Sequence, residues 1–560
     1  MDLEMSTREN QDQKVESVPA SLLPTNVHET FVEDESEKKK SSEQVVKPTL
    51  YQRYRLYIHI AAVLLYTGYI IAAWILHGRQ SLVASLLWAF VCLKIMFYHV
   101  PTTILTTPLG WFFTFWIDFA MKFSLRVRWI VSLVFTVALI VGVTLGLPVD
   151  ESKGTLAQRG RSLGGLCVFI IVLYVTSKDR KKIRWATVIV GVLMQYLLGL
   201  FILKTSVGYD IFNWLSHLCT TLLDFSNTGM AFIVGDKVAN SGSFATAVLP
   251  AVLFFASIVK IVYFLGGMQW IVSKIAWFMV RVMSTSGAES TVAAASPFVG
   301  QGESSLLVLP FLETMTKSEI HSTMTSGFAT ISGSVLVGFI SMGADPQTLI
   351  TSCVMSTPCG LAISKMRIPE TGEPVTKGKV HIPQTEEKES NFLHAAANGA
   401  AQGIHLALLI AATVLAFMSL LALVNAFLTW FGRFINIEQL TLQLIMGYIY
   451  VPFIWFVGIP QENVLTVSRL MATKTFVNEF VAFGELTTPA IADVLLPRSK
   501  HLAVYCLCGF ANFGSIGIQI GALGSMAPSR RQDLAELAFS AMLCGTMSTL
   551  MSATIAGMLM

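Results

Sequence analysis

Charged residues are scarce in this chain, and their scarcity excludes an ordinary soluble protein. Only 13 % of the 560 residues are charged, whereas 53 % are hydrophobic. The mean hydropathy is +0.62, and the apolar residues lie in long runs. A soluble protein of this length cannot bury so much apolar surface. The composition therefore predicts a polytopic α-helical membrane protein.

Other absences narrow the class further. The eight cysteines are scattered, and most lie inside apolar segments, where a thiol behaves as a small hydrophobic group. We therefore expect neither a disulfide framework nor a cysteine-ligated metal. We expect no cleavable signal peptide, because no apolar stretch with a cleavage-like end precedes the first long apolar run. A nucleophile elbow with a histidine partner and a His-Glu-x-x-His motif are also missing, which argues against an intramembrane enzyme.

Apolar runs long enough to cross a membrane recur along the chain. A spanning helix needs about 20 apolar residues. Runs of that kind occupy 55–77, 80–98, 129–147, 185–203, 244–264, 324–344, 403–430 and 501–523, and a last apolar block covers 534–559. Residues 1–48 differ, since they contain eleven Asp or Glu and six Lys or Arg with little apolar periodicity. We interpret them as a disordered tail.

Basic residues in short loops predict the orientation. A dense basic cluster covers 178–184, and Arg53 and Arg55 flank the first apolar run, so both places should be cytoplasmic. Four crossings, at 55–77, 80–98, 129–147 and 163–177, return the chain to the cytoplasm at Lys178. The ambiguous stretch 102–119 then lies on the inner face. The alternative, in which 102–119 crosses and 163–177 does not, stays open. We expect a plasma-membrane protein with a cytoplasmic N-terminus.

The chain is less regular after residue 204. Two amphipathic stretches that contain Trp, at 210–226 and 268–283, suit the membrane interface. Polar breaks at 367–390 and 487–500 predict loops. Residues 285–315 combine a short stretch of small residues, a Pro-Phe-Val-Gly-Gln-Gly break and about ten apolar residues. Each half is too short to span.

A re-entrant helical hairpin with the glycine-rich break at its tip fits the segment 285–315. Irregular backbone is tolerated at membrane depth where it is buried in protein or lines a watery cavity, so the tip should face a site. Glu303, Ser304 and Ser305 would then open the second arm. A serine there can cap free N–H groups, and the helix N-terminus favours a carboxylate.

A partner for this hairpin follows later in the chain. The apolar region 437–470 is interrupted near Gly458, and Asn478 and Glu479 follow it. A further break, Gly509 to Ser515, interrupts the run 501–523. Paired interrupted segments indicate the midplane site of a transporter. Intramembrane glutamates are costly, so two of them with Gln, Asn and Ser nearby predict a hydrogen-bonding site for a polar solute.

Several motifs identify a family. GQGES (300–304), the segment MTSGFATISGSVLVGFISMGADPQTLI (324–350), NEFVAF (478–483), CGFANFGSIG (508–517) and SMAPSRR (525–531) closely resemble the concentrative nucleoside transporters. The resemblance covers about 185–560. It implies a sodium-coupled nucleoside symporter, a homotrimer of multi-pass protomers in a lipid membrane, and elevator-type alternating access. Each protomer would combine a scaffold part and a transport part with two opposed re-entrant hairpins and broken helices.

The resemblance also implies a domain layout. A cytoplasmic tail (1–48) precedes an N-terminal transmembrane region (49–204) and a segment of interfacial helices with one scaffold helix (205–283). The first hairpin and the following transport helices would occupy 284–366. A polar loop (367–390), a scaffold helix (391–436) and a second hairpin with C-terminal helices (437–560) complete the chain.

The resemblance assigns two sets of residues by position. The substrate contacts would be Gln301, Glu303, Val335, Glu479, Phe510, Asn512 and Ser515. Glu479, Asn512 and Ser515 suit ribose hydroxyls, Gln301 and Glu303 suit base edges, and Phe510 supplies an apolar wall. The sodium site would be Ser296, Val299, Thr330 and Ile331. No organic cofactor and no nucleic-acid partner is implied.

Two positions depart from the family pattern. Ser296 replaces an amide with a shorter hydroxyl, which leaves proton coupling open beside sodium coupling. Gly302 removes a hydroxyl next to the base, so base preference can differ. Transport of another small polar solute is the other alternative, and a channel is a further one.

Four more polar residues lack a motif context of this kind, namely Glu289, Lys260, Asp345 and His321. We expect Glu289, Lys260 and Asp345 to be structural or loop residues. We expect His321 to lie at an interface rather than to carry a proton.

Overall fold

The computed structural model describes residues 50–78, 125–148, 154–239, 244–378 and 389–560, with a few single residues between these ranges. The predicted tail 1–48, the stretch 102–119 and most of the run 80–98 lie outside the described residues. The chain divides into two compact units, Met1–Lys122 and Phe123–Met560.

The first unit contains helix α1, Leu50–His77. Its apolar side chains are largely exposed, as expected of a helix that faces lipid. Thr67 Oγ1 accepts a hydrogen bond from Trp88 Nε1 at 2.9 Å, and Trp74 Nε1 donates to Ser85 Oγ at 2.6 Å.

The second unit is helical throughout its described elements. Its longer helices are α2 Leu125–Gly146, α3 Leu156–Val175, α4 Trp185–Lys204, α5 Ser206–Val234, α6 Phe244–Phe264, α7 Gly267–Met283, α8 Gly287–Ala295, α9 Lys317–Ala329, α10 Gly333–Ser341, α11 Pro346–Arg367, α12 Phe392–Arg433, α13 Leu442–Val457, α14 Gln461–Phe476, α15 Glu479–Thr487, α16 Pro497–Leu507, α17 Phe513–Met526 and α18 Arg531–Leu559. Four-residue helices cover Asp236–Ala239, Glu303–Leu306, Leu309–Leu312 and Pro489–Ala492.

Eight helical stretches among the described residues are long and apolar enough to cross a membrane. They are Tyr57–Leu76, Leu156–Val175, Trp185–Lys204, Phe244–Phe264, Lys317–Ser341, Pro346–Arg367, Phe392–Arg433 and Pro528–Leu559. The prediction of an all-α, multi-pass membrane protein is confirmed. α3 is longer than the predicted crossing 163–177, because Thr155 starts the helix earlier through a capping box with Gln158.

Three predicted helical runs differ in detail. The run 324–344 is two helices, α9 and α10, which are separated at 330–332. The run 501–523 is likewise two helices, α16 and α17, with the predicted break between them. The run 403–430 is the central part of a 42-residue helix, α12. Small polar residues and Asn at the breaks offer the backbone alternative hydrogen bonds. The helices therefore end inside runs whose apolar composition alone predicts one continuous helix.

The core of the second unit is built on α9, α11 and α18. α9 packs against α18, α11 packs against α4, and α6 runs along α12. The apolar windows of α9–α10, α11 and α18 are 94 % buried, whereas that of α12 is 17 % buried. The outer helices therefore carry exposed apolar surface around a fully packed interior.

The described part of the polar loop 367–390 is attached to the start of α8. Thr376 accepts hydrogen bonds from the N–H groups of Gly287 and Ala288, through its carbonyl and its hydroxyl, both at 3.0 Å. Lys365 Nζ lies 2.8 Å from Glu289 and 2.9 Å from Glu370. Buried charges persist when they are paired. This cluster therefore fixes the loop against the first hairpin.

The predicted loop 487–500 is wrong in its second part. Pro497 starts α16, and Arg498 is buried rather than solvated. Its guanidinium donates to the carbonyls of Gly458 and Gly557, at 3.1 and 2.8 Å. These carbonyls lie at the ends of α13 and α18, where helices leave acceptors without intrahelical partners.

Candidate functional site

The first predicted hairpin has two short helical arms and an irregular tip. α8 forms the first arm, and Ser286 caps it in a capping box with Glu289. Residues 296–302 form the tip, and Glu303–Leu306 starts the second arm. The helical arms and the position of the break agree with the sequence. The membrane depth at which this segment turns stays a prediction.

The start of the second arm differs from the prediction in its capping. Gly302 occupies the N-cap position and makes no side-chain cap. Ser304 and Ser305 are buried, and Ser304 Oγ donates back to the Gln301 carbonyl at 3.3 Å. The exposed Glu303 accepts from the Gly300 N–H at 3.3 Å instead. Ser304 therefore stabilises the tip internally, and neither serine caps the second arm, where Gly302 offers no side chain at the N-cap position.

A second break separates α9 from α10 and touches the hairpin tip. Ser332 Oγ caps α10 by accepting from the N–H of Val335 in its first turn. The N–H of Gly333 donates to the carbonyl of Phe298 at 3.2 Å. A main-chain hydrogen bond therefore joins the tip to the break.

A third break separates α16 from α17 and lies against the second. The N–H of Phe510 donates to the carbonyl of Thr330 at 3.3 Å. A Cβ atom on Gly509 would lie 2.9 Å from the Phe328 carbonyl oxygen, and the φ angle of Gly509 is +150°. Glycine permits both the close approach and this backbone conformation. Three broken elements therefore meet through main-chain contacts.

Two half-helices, α15 after the junction with α14 and α17 after the third break, begin with polar caps. Asn478 Oδ1 accepts from the Val481 N–H at 3.0 Å at the start of α15. Asn512 Oδ1 accepts from the Ser515 N–H at 2.7 Å at the start of α17. Helix N-termini carry partial positive charge, which favours anionic or acceptor groups. The carboxylate of Glu479 lies on the first turn of α15.

Glu479, Asn512 and Ser515 form one buried polar network. Asn512 Nδ2 donates to Glu479 Oε2 at 2.6 Å, while the same Asn512 caps Ser515. All three residues are at least 95 % buried. The structure thus brings together, across 33 residues of sequence, the three residues predicted to contact ribose. A carboxylate with an adjacent amide and hydroxyl can accept from and donate to vicinal hydroxyl groups.

The other predicted substrate residues lie on the hairpin tip, on α10 and at the third break. Gln301 is buried at the hairpin tip, and its Oε1 has no hydrogen-bond partner among the described residues. Val335 is buried at the start of α10, and Phe510 is buried at the third break. Glu303 is the exception, because it is exposed and contacts the Gly300 N–H rather than the Glu479 network.

The predicted sodium residues lie on the tip and the second break. Ser296 Oγ donates to the Val292 carbonyl at 2.8 Å, so its lone pairs can accept or coordinate. Thr330 and Ile331 are buried at the second break, and Val299 is half-buried at the tip. Hydroxyl and carbonyl oxygens are suitable ligands for a hard cation. Among the described residues, no group of three or more His, Cys, Asp or Glu is placed to hold a metal.

Sequence reasoning placed one titratable residue incorrectly. His321 is completely buried rather than interfacial, and its ring nitrogens lie 2.7 Å from Ser364 Oγ and 3.2 Å from Ser540 Oγ. It occupies α9, which packs against α11 and α18. The polar residues around His321 do not indicate an interface, because hydroxyl groups on neighbouring helices form hydrogen bonds with its ring nitrogens.

Three residues set aside from the site have structural contacts. Glu289 pairs with Lys365, and Lys260 lies 3.8 Å from Glu389. Asp345 caps the first turn of α11 at Thr348.

Two polar residues near the site were not predicted. Lys474, completely buried, donates to the Cys506 carbonyl at 3.0 Å, and Gln519, also buried, donates to the Met324 carbonyl at 3.2 Å. Gln519 lies four residues after Ser515, a helical spacing that places both on one face. This spacing is the sequence signal from which Gln519 could have been predicted.

A small cavity lies apart from these residues. It has a volume of about 40 Å³ and is lined by polar groups that include Arg184, Glu289, Lys365 and Glu370. It contains none of the predicted substrate or sodium residues. The cavity belongs to the charge cluster that attaches the polar loop.

Three family models match the second unit of the chain. They are described as "Na+ dependent nucleoside transporter C-terminus" over residues 348–557, "Na+ dependent nucleoside transporter N-terminus" over 164–237 and "Nucleoside recognition" over 245–346. Together they contain all the predicted site residues.

Curated relatives match along most of the chain. "Solute carrier family 28 member 3" of Mus musculus is 38 % identical over 515 residues, which cover 86 % of this chain and 73 % of the relative. "Sodium/nucleoside cotransporter 1" of Oryctolagus cuniculus is 36 % identical over 509 residues, which cover 89 % and 76 % of the two chains.

Solved structures agree with the sequence matches. CNTnw in an inward-facing, substrate-bound state superposes with a TM-score of 0.67 at 36 % identity, over 71 % of this chain and 97 % of that chain. A variant of CNTnw in an outward-facing state gives a TM-score of 0.69 at 36 % identity, over 72 % and 99 % of the two chains. Fold, family models and relatives agree, and the chain belongs to the sodium-dependent, concentrative nucleoside transporter family.

Proposed function

We propose that this chain is a secondary active symporter that moves nucleosides into the cell on a sodium gradient. The observation that carries the proposal is the buried network of Glu479, Asn512 and Ser515 at the meeting point of broken helices. Its donors and acceptors complement ribose hydroxyls. Membership of a sodium-dependent nucleoside transporter family supports the same substrate and coupling ion.

The proposed substrate site comprises the ribose network together with Gln301, Glu303, Val335 and Phe510. Gln301 and Glu303 would contact the base, and Phe510 would form an apolar wall. The burial of Gln301 with an unpartnered carbonyl oxygen supports a base-contacting role. Glu303 is exposed, so it would contact the base only after the tip closes over bound substrate.

The proposed sodium site comprises Ser296, Val299, Thr330 and Ile331. These residues belong to the tip and the second break, which the Gly333–Phe298 hydrogen bond joins. Sodium bound there would hold the tip against α10. Sodium binding and closure over the substrate would then be coupled, since both depend on the position of the same tip.

We further propose a plasma-membrane homotrimer with a cytoplasmic N-terminus and elevator-type alternating access. The long apolar surface of α12 must be covered by lipid or by another protomer, which supports an oligomer. Structures of CNTnw in inward-facing and outward-facing states support alternating access in the family.

Uptake of radiolabelled uridine and adenosine by cells that express the chain tests the proposal. We expect saturable uptake that falls when sodium is replaced by choline. Uptake that follows an imposed proton gradient and ignores sodium would overturn sodium coupling. An absence of competition by every nucleoside would overturn the substrate class, and current without saturation would indicate a channel.

A further inference from the structure

Gln519 extends the polar surface of α17 beyond the proposed ribose contact. It follows Ser515 by one helical turn, so the two side chains lie on the same face. Both residues are buried, and Gln519 has no exposed surface. The face of α17 that carries the ribose contact therefore continues to a buried amide.

The orientation of the Gln519 amide is fixed by its neighbour. Its Nε2 lies 3.2 Å from the carbonyl oxygen of Met324. A carbonyl accepts only from the amide nitrogen, so the amide oxygen must occupy the opposite position. This Oε1 atom is buried and has no hydrogen-bond partner in the described part of the chain. An unsatisfied buried acceptor is costly, so a donor from water or from a bound ligand has to complete it.

Gln519 and Gln301 meet at Gly327 on α9. A Cβ atom on Gly327 would lie 2.5 Å from Gln519 Nε2 and 2.9 Å from Gln301 Cβ. The missing side chain thus allows both glutamines to approach the same point of α9. The Oε1 of Gln301 is also buried without a partner. Two acceptors, one from the hairpin tip and one from α17, therefore lie in the same region.

We propose that Gln519 is a further specificity-determining residue, whose Oε1 accepts a hydrogen bond from an N–H group of the nucleobase beside Gln301. This inference rests on the proposed function. A base edge with an N–H donor satisfies the amide oxygen, whereas an N-methylated edge leaves it unpaired. A site that hydrogen-bonds a substrate group rejects analogues that lack it, because its own polar atoms remain unpaired.

The test compares nucleosides with and without a base N–H, in the full-length chain. Competition against radiolabelled uridine uptake is measured for uridine and 3-methyluridine, and for adenosine and N6,N6-dimethyladenosine. We expect Gln519→Leu to lower the apparent affinity for the N–H nucleoside of at least one pair about tenfold, as loss of one hydrogen bond predicts. The methylated partner should change less than twofold. Comparing the two within each variant cancels any general loss of activity.

Gln195 provides a matched control. It is completely buried on α4, and its Nε2 donates to Ser552 Oγ at 2.8 Å. Its Oε1 has no hydrogen-bond partner within the ranges that the structure describes. As in Gln519, the amide nitrogen of Gln195 is hydrogen-bonded and the amide oxygen is not, but Gln195 belongs to none of the proposed sites. For each pair, Gln195→Leu should leave unchanged the ratio of the apparent affinities for the N–H nucleoside and its N-methylated partner, even if the substitution lowers the protein yield.

Further outcomes separate this inference from the proposed function. Wild-type chain without nucleoside uptake would contradict the proposed function itself. Wild-type uptake with unchanged ratios in Gln519→Leu would overturn only the role of Gln519, as expected if water satisfies the amide. Gln519→Met provides a second, more flexible replacement, and nucleoside-dependent thermal stabilisation of purified variants reports binding without transport. Failure of both variants to fold would assign Gln519 to the structure and overturn the inference.

Discussion

When ionised, the carboxylate of Glu479 brings negative charge into a network otherwise made of amides and hydroxyls. Asn512 satisfies one of its oxygens, and acceptor capacity remains for a bound ligand. Hydrogen bonds to a charged group contribute about 1.5–3 kcal/mol each, roughly twice the value for neutral pairs. The strongest contact available to a ribose hydroxyl is therefore the one made by Glu479.

Replacement of Glu479 by Gln should nearly abolish nucleoside uptake without unfolding the chain. The substitution keeps the size of the side chain but removes the charge that strengthens the ligand contact. Radiolabelled uridine uptake, normalised to surface protein, measures the effect. Glu485→Gln is a matched control on the same helix, because Glu485 instead accepts from Thr473 at 3.1 Å. Normal uptake by Glu479→Gln would refute the assignment of the ribose site.

Replacement of Ser296 by Ala should change ion dependence more than nucleoside selectivity. The hydroxyl is a proposed sodium ligand, and alanine offers no oxygen. We expect the sodium concentration for half-maximal uptake to rise severalfold while the relative affinities of nucleosides stay the same. Ser290→Ala is the control, since Ser290 is also buried on α8 and donates to the Ser286 carbonyl. The opposite pattern, altered selectivity with normal sodium dependence, would move Ser296 to the substrate site.

Gly302, where the chain departs from the family pattern, lies close to Ala522 of α17. A Cβ atom at residue 302 would lie 3.0 Å from Cβ of Ala522 on α17. We expect Gly302→Thr alone to reduce uptake, because the larger side chain displaces α17. The double variant Gly302→Thr with Ala522→Gly should recover most of it, and the coupling is measured in a double-mutant cycle. Additive effects of the two substitutions would contradict this contact.

Among the elements, the polar loop depends on a buried charge cluster. Lys365 bridges Glu289 at the start of α8 and Glu370 in the loop, with all three side chains at least 90 % buried. Removing one member leaves uncompensated buried charge, which costs about 3–5 kcal/mol. Lys365→Met should therefore lower the unfolding temperature of the purified protein by several degrees and loosen the loop.

Lys317 is the control for that prediction. It also pairs with two carboxylates, Asp533 and Glu536, but all three lie at a solvated surface. Exposed pairs contribute little to stability. Lys317→Met should leave the unfolding temperature almost unchanged, and equal shifts for both variants would show that burial does not determine the effect.

The positions of the helix breaks could be predicted from sequence, because they follow local residue chemistry. Gly-Gln-Gly, Gly458 and the segment from Gly509 to Asn512 interrupt apolar runs, and the structure breaks its helices there. The break at 330–332 was hidden inside a continuous apolar run. Asn512 and Glu479 could be grouped only through the family motifs, since 33 residues separate them.

Long-range polar partners could not be predicted. Gln519 bonds to Met324 across 195 residues, and His321 bonds to Ser540 across 219 residues. Such pairings depend on which helices become neighbours, which helical periodicity does not specify. The same limitation explains why His321 was expected at an interface. Single polar residues in apolar helices are informative only after the packing partners are known.

For the whole molecule, the proposed site and the three matching family models fall within the second unit. They lie between residues 164 and 557, whereas the first unit ends at Lys122. Specificity and coupling should therefore be properties of the second unit. The exposed apolar surface of α12 is where we propose that another protomer packs.

The purified protein should be a homotrimer in mild detergent. We expect a protein mass three times the 61.3 kDa of the chain by native mass spectrometry. Charge substitution of Leu423 and Phe427, both exposed on α12, should weaken assembly if this surface is the interface. A chain that stays monomeric across several detergents and in lipid nanodiscs would contradict the trimer.

The hydrogen bonds that join the three breaks have a consequence for how selectivity can change. Gly333 to Phe298 and Phe510 to Thr330 are bonds between peptide groups, so most side-chain substitutions leave them in place. Residues such as Ser296, Gly302 and Gln519 can then vary while the breaks keep their positions. The peptide backbone supplies the constant geometry, and substrate preference can diverge among related proteins by changes in a few side chains.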